Sequence, residues 1–264
     1  MGQRSVPLSR AVTLGLLHGP TELMPISSSG HTALVPWLRG WDYEGLDPAV
    51  RKRFEVALHG GAVLGLLVLM RGDLALARVG WRRLAMLIAA TAPAALAGLA
   101  LERPIERRLG RPGSIAAGLL GGSLAMAVAE RFGDSDRTAH DATATDGLVL
   151  GAAQALALLP GVSRSGAVRA AARSRGFARA DAERLSLELG LPVTLGALAL
   201  KARELSQAER EEWQALAAGA FASFAATLAG RPLLRRAGSL VPYAAYRTAL
   251  AAAVLRRLRQ NAAR

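Results

Sequence analysis

Hydrophobic and polar residues alternate along this chain in long blocks, not turn by turn. From Leu84 to Leu101 the run LAMLIAATAPAALAGLAL carries no charge over eighteen residues. At a rise of about 1.5 Å per residue, such a helix nearly covers a hydrocarbon core of about 30 Å. Further charge-poor stretches cover Val56–Met70, Gly113–Ala129, Gly147–Val162, Leu185–Leu200, Ala215–Gly230 and Ser239–Leu255, with Glu188 and Arg247 the only formal charges among them. A helix facing water needs a polar stripe, and neither Leu84–Leu101 nor Gly113–Ala129 has one. The pattern predicts an all-α integral membrane protein, a polytopic helical bundle with seven or more complete or partial crossings. Small residues such as Ala116-Ala117-Gly118 and Gly121-Gly122-Ser123 suit this class, because they let helix backbones approach closely where lipid supplies no hydrophobic drive between helices.

The net charge of +13 would suggest a nucleic-acid partner in a soluble protein. Here the arginines sit beside the apolar runs: Arg71, Arg78, Arg82 and Arg83 before Leu84–Leu101, and Arg103, Arg107, Arg108 and Arg111 after it. Anionic lipid headgroups are therefore the expected counter-charge, and no nucleic-acid partner is expected. Because both flanks are basic, charge alone sets no membrane orientation. With no cysteine in the chain, disulfides and thiolate metal sites are excluded. No cleavable signal is expected, since the apolar run Ala11–Leu17 is interrupted by His18, Gly19 and Pro20 before any small-residue cleavage pattern.

The polar segment Gly133–Asp146, GDSDRTAHDATATD, is the natural linker. It divides a single membrane domain, residues 1–264, into halves of approximately 1–132 and 147–264. The halves align without gaps at one offset (151 − 15 = 136), which sets Gly15 against Gly151, His18 against Gln154, Leu23 against Leu159, Ser27 against Ser163, Ser29 against Ser165 and Gly30 against Gly166. Each half thus has an apolar run broken by a Ser-x-Ser-Gly turn. Paired interrupted segments in corresponding positions point to a binding site built by two repeats.

The first break, Leu17 to His31, packs His18, Glu22, Ser27, Ser28, Ser29 and His31 into an apolar surround. Ionisable groups at membrane depth are costly and usually serve function. Pro25 followed by three serines and Gly30 suits the start of a second half-helix, whose unsatisfied N–H groups and hydroxyls favour an anion. The same serines also suit plain helix caps. The second break, Leu159 to Gly166, repeats the pattern, with Ser163, Ser165 and an arginine, Arg164, whose planar guanidinium can grip phosphate oxygens bidentately. Together these residues supply what phosphate-ester or anhydride hydrolysis requires. Glu22, with His18, is a candidate to hold a divalent cation, and Arg164 a candidate to neutralise developing charge. Ser28 or His31 is a candidate nucleophile or base, and Ser27, Ser29, Ser163, Ser165 and Gly166 are candidate phosphate contacts.

On these two motifs the chain resembles the bacterial undecaprenyl-diphosphatases of the bacitracin-resistance type. Gly19–His31 resembles that family's acidic Ser-Ser-x-Gly-His motif, and Gln154–Gly166 its Pro-Gly-x-Ser-Arg-Ser motif. Weaker similarity covers Phe54–Asp73, Ala92–Gly98, Gly118–Arg131, Arg175–Pro192 and Pro242–Arg247. The resemblance implies hydrolysis of undecaprenyl diphosphate, a Mg2+ or Ca2+ cofactor and two re-entrant broken-helix hairpins in an inverted repeat. It also implies a possible homodimer and a multi-pass location in the bacterial inner membrane. It makes Glu22, Ser28, His31 and Arg164 the catalytic positions. Two positions depart from the family: His18 stands where Glu or Gln is usual, and Val168 where Thr commonly follows the second motif. His59, between apolar neighbours, is read as a structural histidine outside the site. A polyprenyl-phosphate transporter and an inactive carrier-binding relative remain alternative readings.

Overall fold

In the computed structural model, residues 5–43, 45–72, 80–132, 136–235 and 238–263 are described. Arg78, residues 133–135 of the expected linker, and the terminal Arg264 lie outside them. The described residues form ten α-helices and no strand: α1 (Leu8–Leu23), α2 (Ser28–Leu38), α3 (Pro48–Met70), α4 (Trp81–Leu109), α5 (Pro112–Ala129), α6 (Ala144–Leu156), α7 (Arg164–Ser174), α8 (Arg179–Leu205), α9 (Trp213–Ala229) and α10 (Val241–Ala262).

Four helices, α3, α4, α5 and α8, are long and apolar enough to cross a membrane. The other apolar stretches fall short for separate reasons. Leu159-Pro160-Gly161 follows the end of α6 at Leu156, α9 has only 17 residues, and α10 ends in Arg256, Arg257 and Arg259. Several large side chains of α4 point outward, with Leu96 68% and Leu99 70% exposed. An apolar face of that kind is stable only against lipid or protein, so the chain is a polytopic membrane protein.

The 136-residue offset is reproduced by the elements themselves. Helix α2 spans Ser28–Leu38 and α7 spans Arg164–Ser174, so both ends keep the register (164 − 28 = 136; 174 − 38 = 136). Likewise α1 begins at Leu8 and α6 at Ala144. Among the described residues five helices, α1–α5, come before residue 133 and five, α6–α10, after it, and the packing exchanges helices between these two sets. The first helix of each set lies on the fourth of the other, α1 on α9 and α6 on α4. Glycines at equivalent places permit this. A Cβ at Gly15 would strike the Gly219 carbonyl oxygen, and one at Gly151 would come within 2.7 Å of the Ala90 carbonyl oxygen.

Two compact units result. The first comprises residues 1–23, 31–74 and 194–235, and the second residues 24–30, 75–193 and 236–264, so each draws on both sequence halves. In the first, α1 and α3 pack on α9 around Leu14, Phe54, Leu58 and Leu216, and the Ser223 hydroxyl donates to the Leu58 carbonyl at 2.9 Å. In the second, α4, α6, α7 and α8 enclose Met86, Leu150, Val168, Phe177, Leu185 and Leu189.

The described part of the polar segment, residues 136–146, is tightly tied. Thr143 and Asp146 form a capping box that starts α6. The fully buried Asp146 also pairs with Arg137 and accepts from Arg175 Nε at 2.9 Å. Burial pushes the Asp146 carboxyl up, but the bonds from Arg137, Thr143 and Arg175 outweigh it and hold the group below the usual carboxylate range. A carboxyl depressed by folding stabilises the native state above its unfolded pKa, about 3.9, and loses that contribution as pH falls toward the native value. Thermal stability in detergent should therefore fall below about pH 4. Asp146→Asn should flatten that acid decline and lower stability at pH 7 by about 1.5–3 kcal/mol, the scale of a hydrogen bond to a charged group.

Candidate active site

In the first unit the site begins on α1. Pro20 removes one backbone bond from that helix without ending it, so His18 and Glu22, four residues apart, share one face of its last turns. Helix α3 brings a third group to them. His59 Nδ1 lies 3.1 Å from Glu22 Oε1, and His18 Nε2 lies 3.5 Å from the same oxygen. The two imidazoles stand edge to face with ring centres 4.4 Å apart. His18 is 1% exposed, and both of its ring nitrogens are buried without a hydrogen-bond partner. One donor atom from each of His18, Glu22 and His59 lies within 4.8 Å of the others, a grouping able to hold a metal ion. The orphaned His18 nitrogens and the adjacent carboxylate fit a cation, since an imidazole buried without a partner is otherwise costly. His59 was expected outside the site, yet the structure places it beside Glu22. Its spacing from the motif conceals this, because only the packing of α1 and α3 on α9 brings it near.

In the second unit the two breaks are stitched together. Ser27 has φ 75°, a left-handed conformation that a residue with a Cβ adopts only at a cost, of order 1–3 kcal/mol. Ser27 Oγ accepts from the Gly30 N–H at 3.3 Å, and Ser163 Oγ accepts from the Gly166 N–H at 3.2 Å. These are equivalent N-caps of α2 and α7, so the capping role weighed for these serines is realised at both. Ser165 Oγ lies 3.1 Å from Ser163 Oγ and donates to the Met24 carbonyl at 3.2 Å, linking α7 to the first break. Ser28 is half-buried and Ser29 exposed in the first turn of α2, with His31 buried one turn beyond Ser28.

Arg164 opens α7 beside these caps. Its Nη1 donates to the Ser186 carbonyl at 3.2 Å, and the guanidinium lies against Gly190 of α8, where a Cβ would overlap it. A deeper arginine completes the arrangement. Arg247 on α10 is fully buried, and its Nη1 donates to the Pro25 carbonyl at 3.3 Å. Its Nη2 donates to the carbonyls of Gly161 at 3.1 Å, Leu119 at 3.2 Å and Gly118 at 3.4 Å, while Nε donates to Ser123 Oγ at 3.4 Å. Pro25 and Gly161 are repeat equivalents (161 − 25 = 136), so one guanidinium holds the same carbonyl of both breaks. Two helix N-termini carrying serines, with an arginine at one of them, are groups whose chemistry suits an anion.

A family model described as bacitracin resistance protein BacA matches residues 11–253. The chain belongs to the BacA family. Its relatives include an undecaprenyl-diphosphatase of Geobacter sulfurreducens, 40% identical over 94% of this chain and 97% of the relative. Proteins of the same name match from Nitrosococcus oceani, 36% identical over 91% of this chain and 95% of the relative, and from Idiomarina loihiensis, 31% identical over 92% and 96%. The BacA match spans both broken segments, so His18, Glu22, Arg164 and Arg247 all lie inside it.

Proposed function

We propose that this chain hydrolyses undecaprenyl diphosphate to undecaprenyl phosphate and inorganic phosphate, recycling the lipid carrier for cell-wall synthesis and conferring bacitracin resistance. The observation that carries this reading is the near full-length match to relatives named undecaprenyl-diphosphatase, at 40% identity in one case. We place the enzyme in the bacterial inner membrane as a multi-pass protein, with homodimerisation part of the same reading. Apolar faces such as that of α4 suit a substrate whose prenyl tail stays in lipid while its headgroup meets polar residues.

In this reading, attack at the terminal phosphorus forms a new P–O bond. The bond from that phosphorus to the bridging oxygen breaks, and undecaprenyl phosphate leaves. Ser28 or His31 supplies the nucleophile or the base. With Ser28 attacking, His31 takes its proton, and water then breaks the bond between phosphorus and the Ser28 oxygen, returning the proton to Ser28 and releasing inorganic phosphate. Arg164, with the α7 N-terminus behind it, binds the phosphoryl oxygens and offsets the charge that gathers on them. Ser27 and Ser163 keep the two helix starts in shape as caps, while Ser29, Ser165 and Gly166 line those first turns. His18, Glu22 and His59 would hold a divalent cation, which when bound would supply positive charge.

The test is phosphate release from undecaprenyl diphosphate by detergent-purified protein, with and without divalent cation. Release should require the cation, and Glu22→Ala should lower it by about 10³-fold or more while the melting profile persists. The exchanged repeats with broken helices also suit a transporter of polyprenyl phosphate. Carrier binding without phosphate release, across cations and pH, would end the first reading and leave transport or simple carrier binding.

A further inference from the structure

We infer that the cation of this chain is a borderline first-row ion, Zn2+ above all, ligated by His18, Glu22 and His59, and that Mg2+ and Ca2+ are poor occupants. The inference deepens the phosphatase reading, because it names the ion that the same cluster holds. It starts from the donor set. Mg2+ and Ca2+ take six or more oxygen ligands, whereas two of the three donors here are imidazole nitrogens. Imidazole with one carboxylate suits zinc and its neighbours, and three protein ligands leave a position open for water or substrate.

Geometry agrees with chemistry. Glu22 Oε1 lies 3.1 Å from His59 Nδ1 and 3.5 Å from His18 Nε2. Ligand atoms on a tetrahedral ion with bonds of about 2.0–2.1 Å stand about 3.3 Å apart. His18 supplies the independent observation: its ring is 1% exposed, both nitrogens lack a hydrogen-bond partner, and it shares the face of α1 that carries Glu22.

The second repeat acts as an internal control. At the place equivalent to His18 it has Gln154, whose Nε2 donates to the Ala90 carbonyl at 3.0 Å. At the place equivalent to Glu22 it has Leu158. The fold therefore does not demand ligating groups at these positions. The first repeat alone carries three together, and the histidine that replaces the family's usual Glu or Gln is one of them.

The experiment uses the full chain in detergent, stripped with a chelator. Zn2+, Mg2+ and Ca2+ affinities are measured by competition with a chromogenic chelator, and Co2+ is added as a spectroscopic reporter. Wild-type protein should bind one Zn2+ on the order of 100-fold more tightly than Mg2+ or Ca2+. It should also give visible Co2+ bands of a nitrogen-ligated, four- or five-coordinate site. His18→Ala and His59→Ala should each weaken Zn2+ by about 10-fold or more and alter those bands, while His18→Glu should narrow the preference for Zn2+ over Mg2+. His59 is one-third exposed, so its variant should fold even where one at His18 does not. Equal affinity for Zn2+ and Mg2+, or Zn2+ binding and Co2+ bands unchanged in His59→Ala, overturns the inference. Phosphate release is followed in the same samples. Release supported by Mg2+ and indifferent to His59→Ala sinks the zinc assignment and leaves the phosphatase, whereas tight Zn2+ binding with no release under any cation does the reverse.

Discussion

Arg164→Ala is expected to lower phosphate release by about 10³–10⁵-fold, the range over which a single arginine acts on a transferring phosphoryl group. The guanidinium sits at the first position of α7, so its charge adds to the partial positive end of that helix. Arg164→Lys keeps the charge but not the planar fork, and should recover only part of the rate. Gly190→Ala reaches the same group from α8: its new Cβ would occupy the space of the Arg164 guanidinium and displace it from the Ser186 carbonyl. That variant removes no functional atom, so a large loss of rate with an unchanged melting profile would show that placement of the guanidinium, not just its presence, sets the rate. Single-turnover phosphate release checks both. Full activity in Arg164→Ala would remove the residue from the chemistry.

Arg247→Met should be the most destabilising single change at the breaks, because each buried acceptor left without a donor costs about 1–3 kcal/mol. The carbonyls of Pro25, Gly118, Leu119 and Gly161 each lose a donor. Arg247→Lys cannot restore them, because one ammonium does not span acceptors contributed by both breaks and by α5. Hydrogen exchange separates this anchoring role from general weakening of the fold. Backbone protection should fall first at residues 26–30 and 162–166, where the caps depend on the held breaks, while the α1 and α9 amides of the other unit stay protected. Phosphate release should fall with it, since Ser28 and Arg164 start the helices that these breaks position. An unchanged exchange pattern at the breaks would refute the anchoring role.

Much of this was legible in the residues. Pro and Gly stop helices and serines start them wherever they stand, so the breaks after α1 and α6 and the caps at Ser27 and Ser163 follow from local chemistry. Gapless spacing made the repeat visible, and α2 and α7 keep its register at both ends. Helix boundaries inside the apolar stretches were less legible, because hydropathy reports what a segment tolerates and not where its backbone turns.

His59 and Arg247 mark the other limit. Each is a lone polar residue in an apolar helix, and a lone residue has no periodicity or spacing to announce its partner. His59 lies 37 residues beyond Glu22 (59 − 22 = 37), and Arg247 lies 86 beyond Gly161 (247 − 161 = 86). The sequence by itself determined the membrane class, the breaks and the shared register of α2 and α7, because each depends on interactions within a few residues. Only the tertiary structure decided that His59 joins His18 and Glu22, and that Arg247 holds the same carbonyl of both breaks. Those choices depend on which helices lie side by side, and here the repeats exchange neighbours, so the decisive contacts are made between residues far apart along the chain.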